Sequence, residues 1–242
     1  MIIMILRILV MTLWAIPTFV LGTLYMLLSP RNPKHTFWIS RWFCKTAPIL
    51  GIKLEMRLPE NYYQRPPSIY IGNHQNNYDL FTLANAVVPG VVTVGKKSLV
   101  WIPLFGIIYW LSGNVLIDRA NRKKSISTIG QVANAIKNKG VSIWMFPEGT
   151  RSRGRGLLKF KTGAFHAAMD AGVPVVPIVC STTTGISLRR WNNGHVIVEV
   201  MPEIDSSQYT KSQAHAFADY CHRIMKEKLD VLDQEIATEK NE

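Results

Sequence analysis

Acidic side chains are scarce in this chain. Its 242 residues hold 16 Asp and Glu against 28 Lys and Arg, a formal charge of +12 at pH 7. Solubility does not require so large an imbalance, so an anionic partner is implied: nucleic acid, an acidic membrane surface or a phosphorylated substrate. Cysteine is scarcer still. Cys44, Cys180 and Cys221 are odd in number and lack C-x-x-C spacing, which argues against both a disulfide framework and a zinc site. A reducing compartment is the default for such a chain. There is no G-x-S-x-G elbow, so no serine nucleophile is announced. Nor is there a recognised nucleic-acid-binding motif, an internal repeat or a low-complexity tract. With 48% hydrophobic residues the chain is too apolar to be disordered, and it is long enough to bury a sizeable core with an appendage.

Charge of either sign is almost missing from residues 1–28, where only Arg7 is ionised. A stretch of that length can span or enter a bilayer. Pro17 and Gly22 are unwelcome in a soluble helix and tolerated in a membrane. A secretory signal fits poorly, because the apolar run is long, the leading charge sparse, and no A-x-A site comes after it. After a break at 29–33, residues 35–50 read as a second helix. There Phe37, Trp38, Trp42 and Phe43 mix with Arg41 and Lys45, the composition of the headgroup zone. Residues 1–50 are therefore expected to form a membrane-associated helix hairpin. The positive-inside bias would keep Arg31, Lys34, Arg41 and Lys45, and the remainder of the chain, in the cytoplasm.

From Gly51 the texture changes. Apolar runs of strand length fall at 53–57, 68–71, 91–94, 114–117, 142–146, 175–179 and 196–201. Helical patterns fall at 80–88, 99–111, 125–139, 162–171 and 210–236. The alternation predicts an α/β domain over 51–242, with a largely parallel twisted sheet and helices on both faces. The last helix, rich in charge from Arg223, reads as a solvated exterior face, and its tail, ATEKNE, as a fraying end. Pro177 is odd inside the run 173–179 and implies a strand that ends, bulges or lines a channel. Sites in such sheets gather at the carboxyl ends of strands.

The stretch IYIGNHQNNYDL, residues 69–80, places His74 and Asp79 five residues apart, just past one such strand. On a straight helix their side chains would stand roughly 140° apart and miss each other. They meet if His74 closes the strand, residues 75–78 turn, and Asp79 opens the next helix. An imidazole held by a carboxylate at one nitrogen is a general base at the other. The competing readings are an ordinary N-cap for Asp79 and a satisfied loop histidine for His74.

Three further strand ends carry cations. FPEGTRSRGRG, residues 146–156, succeeds a strand with a Pro147–Gly149 turn and then Arg151, Arg153 and Arg155, planar donors suited to phosphate. Lys159 and Lys161 extend that positive field. Lys96 and Lys97 lie between a strand and a helix, as do Asp118 and Arg119. Each could equally be exposed loop charge. Together they describe a site for an anionic substrate that carries a hydroxyl.

With NHQNNYD, KKSLVWIPLFG, FPEGTRS and VPVVPIV in that order, the sequence resembles the glycerolipid acyltransferases, most closely the bacterial 1-acylglycerol-3-phosphate (lysophosphatidate) acyltransferases. The resemblance covers about residues 51–201, with the N-terminal helices also in place. It implies acyl transfer from an acyl carrier protein or coenzyme A thioester to the sn-2 hydroxyl of lysophosphatidic acid, at a membrane, giving phosphatidic acid. It implies no cofactor, no metal and no nucleic acid. By the same resemblance His74 is the base and Asp79 orients it, while Lys97, Gly149, Thr150, Arg151 and Arg153 hold the acceptor phosphate. Glu148 belongs to acceptor binding or site structure rather than proton transfer. Ser98 stands where a glutamate is commoner, which touches the assignment at Lys97. Two alternatives remain at this level: an acyltransferase using glycerol 3-phosphate or another lysophospholipid, and a membrane-anchored phosphate-binding module without catalysis.

Overall fold

The computed structural model describes residues 1–117 and 122–239. Asp118 and Arg119, and the last three residues of the tail, lie outside them. The Val- and Ile-rich runs form seven strands: β1 (Ile52–Arg57), β2 (Ile69–Gly72), β3 (Val91–Lys96), β4 (Val115–Ile117), β5 (Ser142–Met145), β6 (Val175–Cys180) and β7 (Gly194–Val200). They make one sheet in the order β1-β7-β6-β2-β5-β3-β4. Strands β2 to β6 are mutually parallel, β7 runs antiparallel to β6, and β1 is parallel to β7. Every residue of β2 and β6 is buried, as central strands covered on both faces must be.

Alternation along these strands divides the core. Ile69, Ile71, Ile143 and Val179 face one way and pack with α5 (Arg122–Lys139), α6 (Gly163–Ala171) and α7 (Ala214–Glu239). Tyr70, Trp144, Val176 and Ile178 face the other way and pack with Leu83, Val87 and Leu50. The fold is thus α/β, with a mostly parallel sheet and helices on both faces.

Several elements differ from the sequence reading. The helix expected over 80–88 is a single turn, α3 (Asp79–Thr82), followed by a tighter 3-10 turn, Leu83–Ala86. The helix expected over 99–111 is cut by Pro103. A 3-10 turn, Lys97–Trp101, comes first, Leu104 adopts a left-handed φ of 63°, and α4 (Phe105–Leu111) begins after it. The last helix is not solvated all round. Phe217, Cys221, Met225, Leu229, Leu232 and Ile236 recur at three- and four-residue spacing, are buried, and lie in the core of the sheet. β6 continues straight through Pro177. The carbonyl of Pro177 accepts from Met201 N–H at 2.9 Å, just past the end of β7, so its missing N–H falls where ladder pairing stops.

At the N-terminus, α1 (Ile2–Leu27) and α2 (Lys34–Cys44) meet through aromatic rings, Trp14 on Trp42 at 5.6 Å and Phe19 on Phe43 at 6.3 Å. The helix α1 is long and apolar enough to cross a membrane, and little of it is buried within the protein. Both its ends are nevertheless tied to the α/β body. Near the start, the buried Arg7 donates to the carbonyls of Ser187, Leu188, Arg190 and Trp191, the last at 2.7 Å. Near the end, Met26 packs with Ile108 and Leu111 of α4.

Candidate active site

Parallel pairing carries the ends of β2, β5, β3 and β6 to one edge of the sheet. Past β2, Gly72 and Asn73 leave the strand, and the Asn73 amide locks onto Cys180 of β6: its Nδ2 donates to the carbonyl at 2.8 Å and its Oδ1 accepts the N–H at 2.8 Å. His74 comes next. Its Nδ1–H donates to Asp79 Oδ2 at 2.6 Å, and the same oxygen accepts the backbone N–H groups of Gln75 at 2.8 Å and Asn76 at 3.2 Å. Asp79 does open α3, as expected, but its carboxylate closes the turn before it rather than capping the helix. That carboxylate is buried, and its Oδ1 has no hydrogen-bond partner among the described residues. The buried acid fixes the tautomer of His74 and leaves Nε2 free. The ring is further held by stacking on Phe146 at 4.1 Å and 15°.

Phe146 belongs to the loop after β5, which is stitched to the histidine loop by its backbone. Ser152 N–H donates to the His74 carbonyl at 2.8 Å and Arg153 N–H to the Gln75 carbonyl at 2.9 Å. Glu148 is buried between them. Its Oε1 accepts His74 N–H at 2.5 Å and its Oε2 accepts Leu158 N–H at 3.0 Å. Burial pushes the Glu148 carboxyl above its ordinary value, and those two N–H donors work against the rise. With both oxygens occupied by backbone, Glu148 is placed to hold the loops.

Gly149 has a φ of 70°, and a Cβ there would meet Lys161 Nζ at 2.8 Å. Thr150, Arg151 and Arg153 are exposed just beyond, and neither guanidinium enters an ion pair among the described residues. Lys97 is exposed at the end of β3, at the same edge but two strands from His74. The structure thus joins His74, Asp79, Glu148 and the 149–153 loop directly, and sets Lys97 farther off.

Gln75, which sequence reasoning passed over, is the junction of three loops. Its Nε2 donates to the carbonyls of Cys180 at 3.0 Å and Ser181 at 2.8 Å, and its Oε1 accepts Thr183 N–H at 2.9 Å. It lies inside the NHQNNYD block, but no spacing reveals a partner on β6. A cavity of about 200 Å³ opens between these loops and α7, lined by Asn73, Gln75, Glu148, Thr182 and Asp233. His74 is not in its wall, so the cavity lies behind the histidine loop.

A carboxylate-held imidazole beside exposed cations, at the carboxyl edge of a mostly parallel sheet, is the equipment of a group-transfer enzyme acting on an anionic acceptor. The chain belongs to the acyltransferase family, whose model matches residues 53–181. It is 52% identical over 233 residues to the 1-acyl-sn-glycerol-3-phosphate acyltransferase of Haemophilus influenzae, covering 96% of this chain and 97% of that protein. It is 54% identical over 232 residues to the Escherichia coli protein of the same name, covering 96% and 95%. Within the family it therefore stands with the bacterial 1-acyl-sn-glycerol-3-phosphate acyltransferases. The fold matches the crystal structure of the 1-acyl-sn-glycerophosphate (LPA) acyltransferase from Thermotoga maritima, with a TM-score of 0.75 at 22% identity over 96% of this chain and 95% of that one.

Proposed function

We propose that this acyltransferase moves a fatty acyl group from a thioester of acyl carrier protein or coenzyme A to the sn-2 hydroxyl of 1-acyl-glycerol-3-phosphate, giving phosphatidic acid. The observation that carries the reading is the 2.6 Å bond from His74 to the buried Asp79, on a loop hydrogen-bonded to the arginine-bearing one. In the proposed reaction the acceptor phosphate lies against Arg151, Arg153 and Lys97, with Gly149 and Thr150 shaping its seat. The acceptor hydroxyl faces Nε2 of His74. As its oxygen bonds to the thioester carbonyl carbon, its proton passes to Nε2. The tetrahedral oxyanion then collapses, the C–S bond breaks, and the imidazolium returns the proton to the departing thiolate. No bond to the enzyme forms. Asp79 keeps the imidazole oriented, and Glu148 keeps its loop in register with the arginines. Holding both substrates in place lowers the barrier by several kcal/mol, on the order known for oriented reactants.

The same reading places the enzyme on the inner membrane, its α/β domain, residues 51–242, on the cytoplasmic side and residues 1–50 embedded as an anchor. A helix of 26 residues is about 39 Å long. Arg7 and Met26, near its two ends, both bind the same body, which supports a helix laid along one leaflet rather than driven through the bilayer.

The test is release of free thiol from an acyl thioester. It should require added lysophosphatidic acid, and thioester consumption that ignores the acceptor would defeat the proposal. Replacing Arg151 with Ala should raise KM for the phosphorylated acceptor most. An equal loss on a phosphate-free acceptor would make Arg151 structural instead.

A further inference from the structure

The segment joining β3 to β4 carries large apolar side chains that the transfer chemistry does not use. Trp101, at the end of the Lys97–Trp101 turn, is 82% exposed. Ile102 and Leu104 come after it and are also exposed. Leu104 holds a left-handed φ, a costly conformation for a branched residue. The loop is therefore shaped to present apolar groups outward, with Pro103 stiffening it.

We infer that residues 97–110 are a second membrane-inserting element, separate from α1, with Trp101 the deepest side chain. Two observations select a lipid surface as the occupant. The first is continuity: α4 packs on the end of α1 through Ile108, Leu111 and Met26, and its outward residues Ile107 and Trp110, three apart on one face, are exposed beside that apolar helix. The second is charge. Lys96 and Lys97 open the segment, and the Arg31 guanidinium lies 5.4 Å over the Trp110 ring. Aromatics ringed by cations match an anionic headgroup layer with acyl chains beneath it. The inference rests on the acceptor being a membrane lipid. It adds that the sheet edge bearing His74 meets the bilayer directly, so the acceptor's chain stays in the acyl layer while its headgroup reaches the site.

The experiment uses the full chain on vesicles of phosphatidylcholine and phosphatidylglycerol, with and without brominated acyl chains. The emission of Trp101 is taken as the difference between wild type and Trp101→Phe. Insertion predicts a blue-shifted difference spectrum that bromine quenches. A water-like, unquenched difference, from protein that still sediments with vesicles, overturns the inference. This readout needs no substrate, so it stands or falls apart from the proposed reaction. In parallel, the double variant Trp101→Ser, Ile102→Ser should raise the apparent KM for a long-chain acceptor in vesicles about tenfold. Its kcat/KM on a short-chain, freely soluble acceptor should not change. An equal loss on both acceptors, or on neither, overturns the inference as well.

Discussion

In the proposed reaction the chemistry at His74 turns on which ring nitrogen is left open. Asp79 Oδ2 takes Nδ1–H and two backbone N–H groups, so the open nitrogen is Nε2. Replacing His74 with Ala should lower turnover by about 10²- to 10⁴-fold with little change in thermal stability, because the ring is partly exposed and its backbone bonds remain. Asp79→Asn should also fall steeply, since an amide there can stabilise the other tautomer. Glu148 makes a sharper case. In Glu148→Gln one acceptor oxygen becomes an NH2 group facing the N–H of His74 or Leu158, at a cost of about 1–3 kcal/mol read as a lower Tm. Its pH dependence has a definite sign. The folded carboxyl is raised above 4.5, so the folded state holds this proton to higher pH than the unfolded chain does. The contribution of Glu148 to stability therefore declines as pH rises from 4.5 through the folded value, and wild type minus Gln variant, compared across that range, should show the decline. A flat difference would contradict it. The histidine–aspartate meeting was legible from five-residue spacing and turn chemistry. Gln75 was not, because its partners lie more than a hundred positions away in sequence.

Among the elements, the strands were the most legible part. Their buried Val and Ile runs are local signals, and all seven appear within a few residues of the expected bounds. The helices were less so. Periodicity over 99–111 hid the cut at Pro103, and the charges of α7 hid the buried stripe on its other side. The attachment of α1 to the body depends on one glycine. Gly51 has a φ of 72°, and a Cβ there would meet the Trp191 carbonyl at 2.3 Å and the Arg7 guanidinium at 2.6 Å. Gly51→Ala should therefore loosen α1 from the body, costing about 2–3 kcal/mol. In detergent that is a Tm lowered by roughly 5–10 °C. Faster proteolysis between residues 28 and 51 should accompany it.

For the molecule as a whole, the largely parallel sheet was legible in the alternation of runs, while the strand order and the reversal at β7 were not. A parallel body flanked by β7 and β1 running the other way is decided by pairing between distant segments, and each run looks alike until it is paired. The cysteines show what that packing does. All three are buried, and burial pushes the Cys221 thiol up to about 12 and raises that of Cys180 as well. Folded protein at pH 8 should take up no thiol reagent on the timescale of minutes, and three equivalents once denatured. Prompt labelling of the native enzyme would mean that the fold opens locally around them, at the end of α2, along α7 or at the end of β6.

Arg7 also imposes an order of events on biosynthesis. Its four carbonyl acceptors lie 180 to 184 positions further along the chain. At ordinary translation speed they emerge roughly ten to forty seconds later. Through that interval the guanidinium has no protein carbonyls to meet, and in the proposed membrane-bound state lipid headgroups and water would hold it at the surface of the leaflet. On that proposal the late loop finds a cation already waiting at the right depth, and closing around it latches the finished body onto α1.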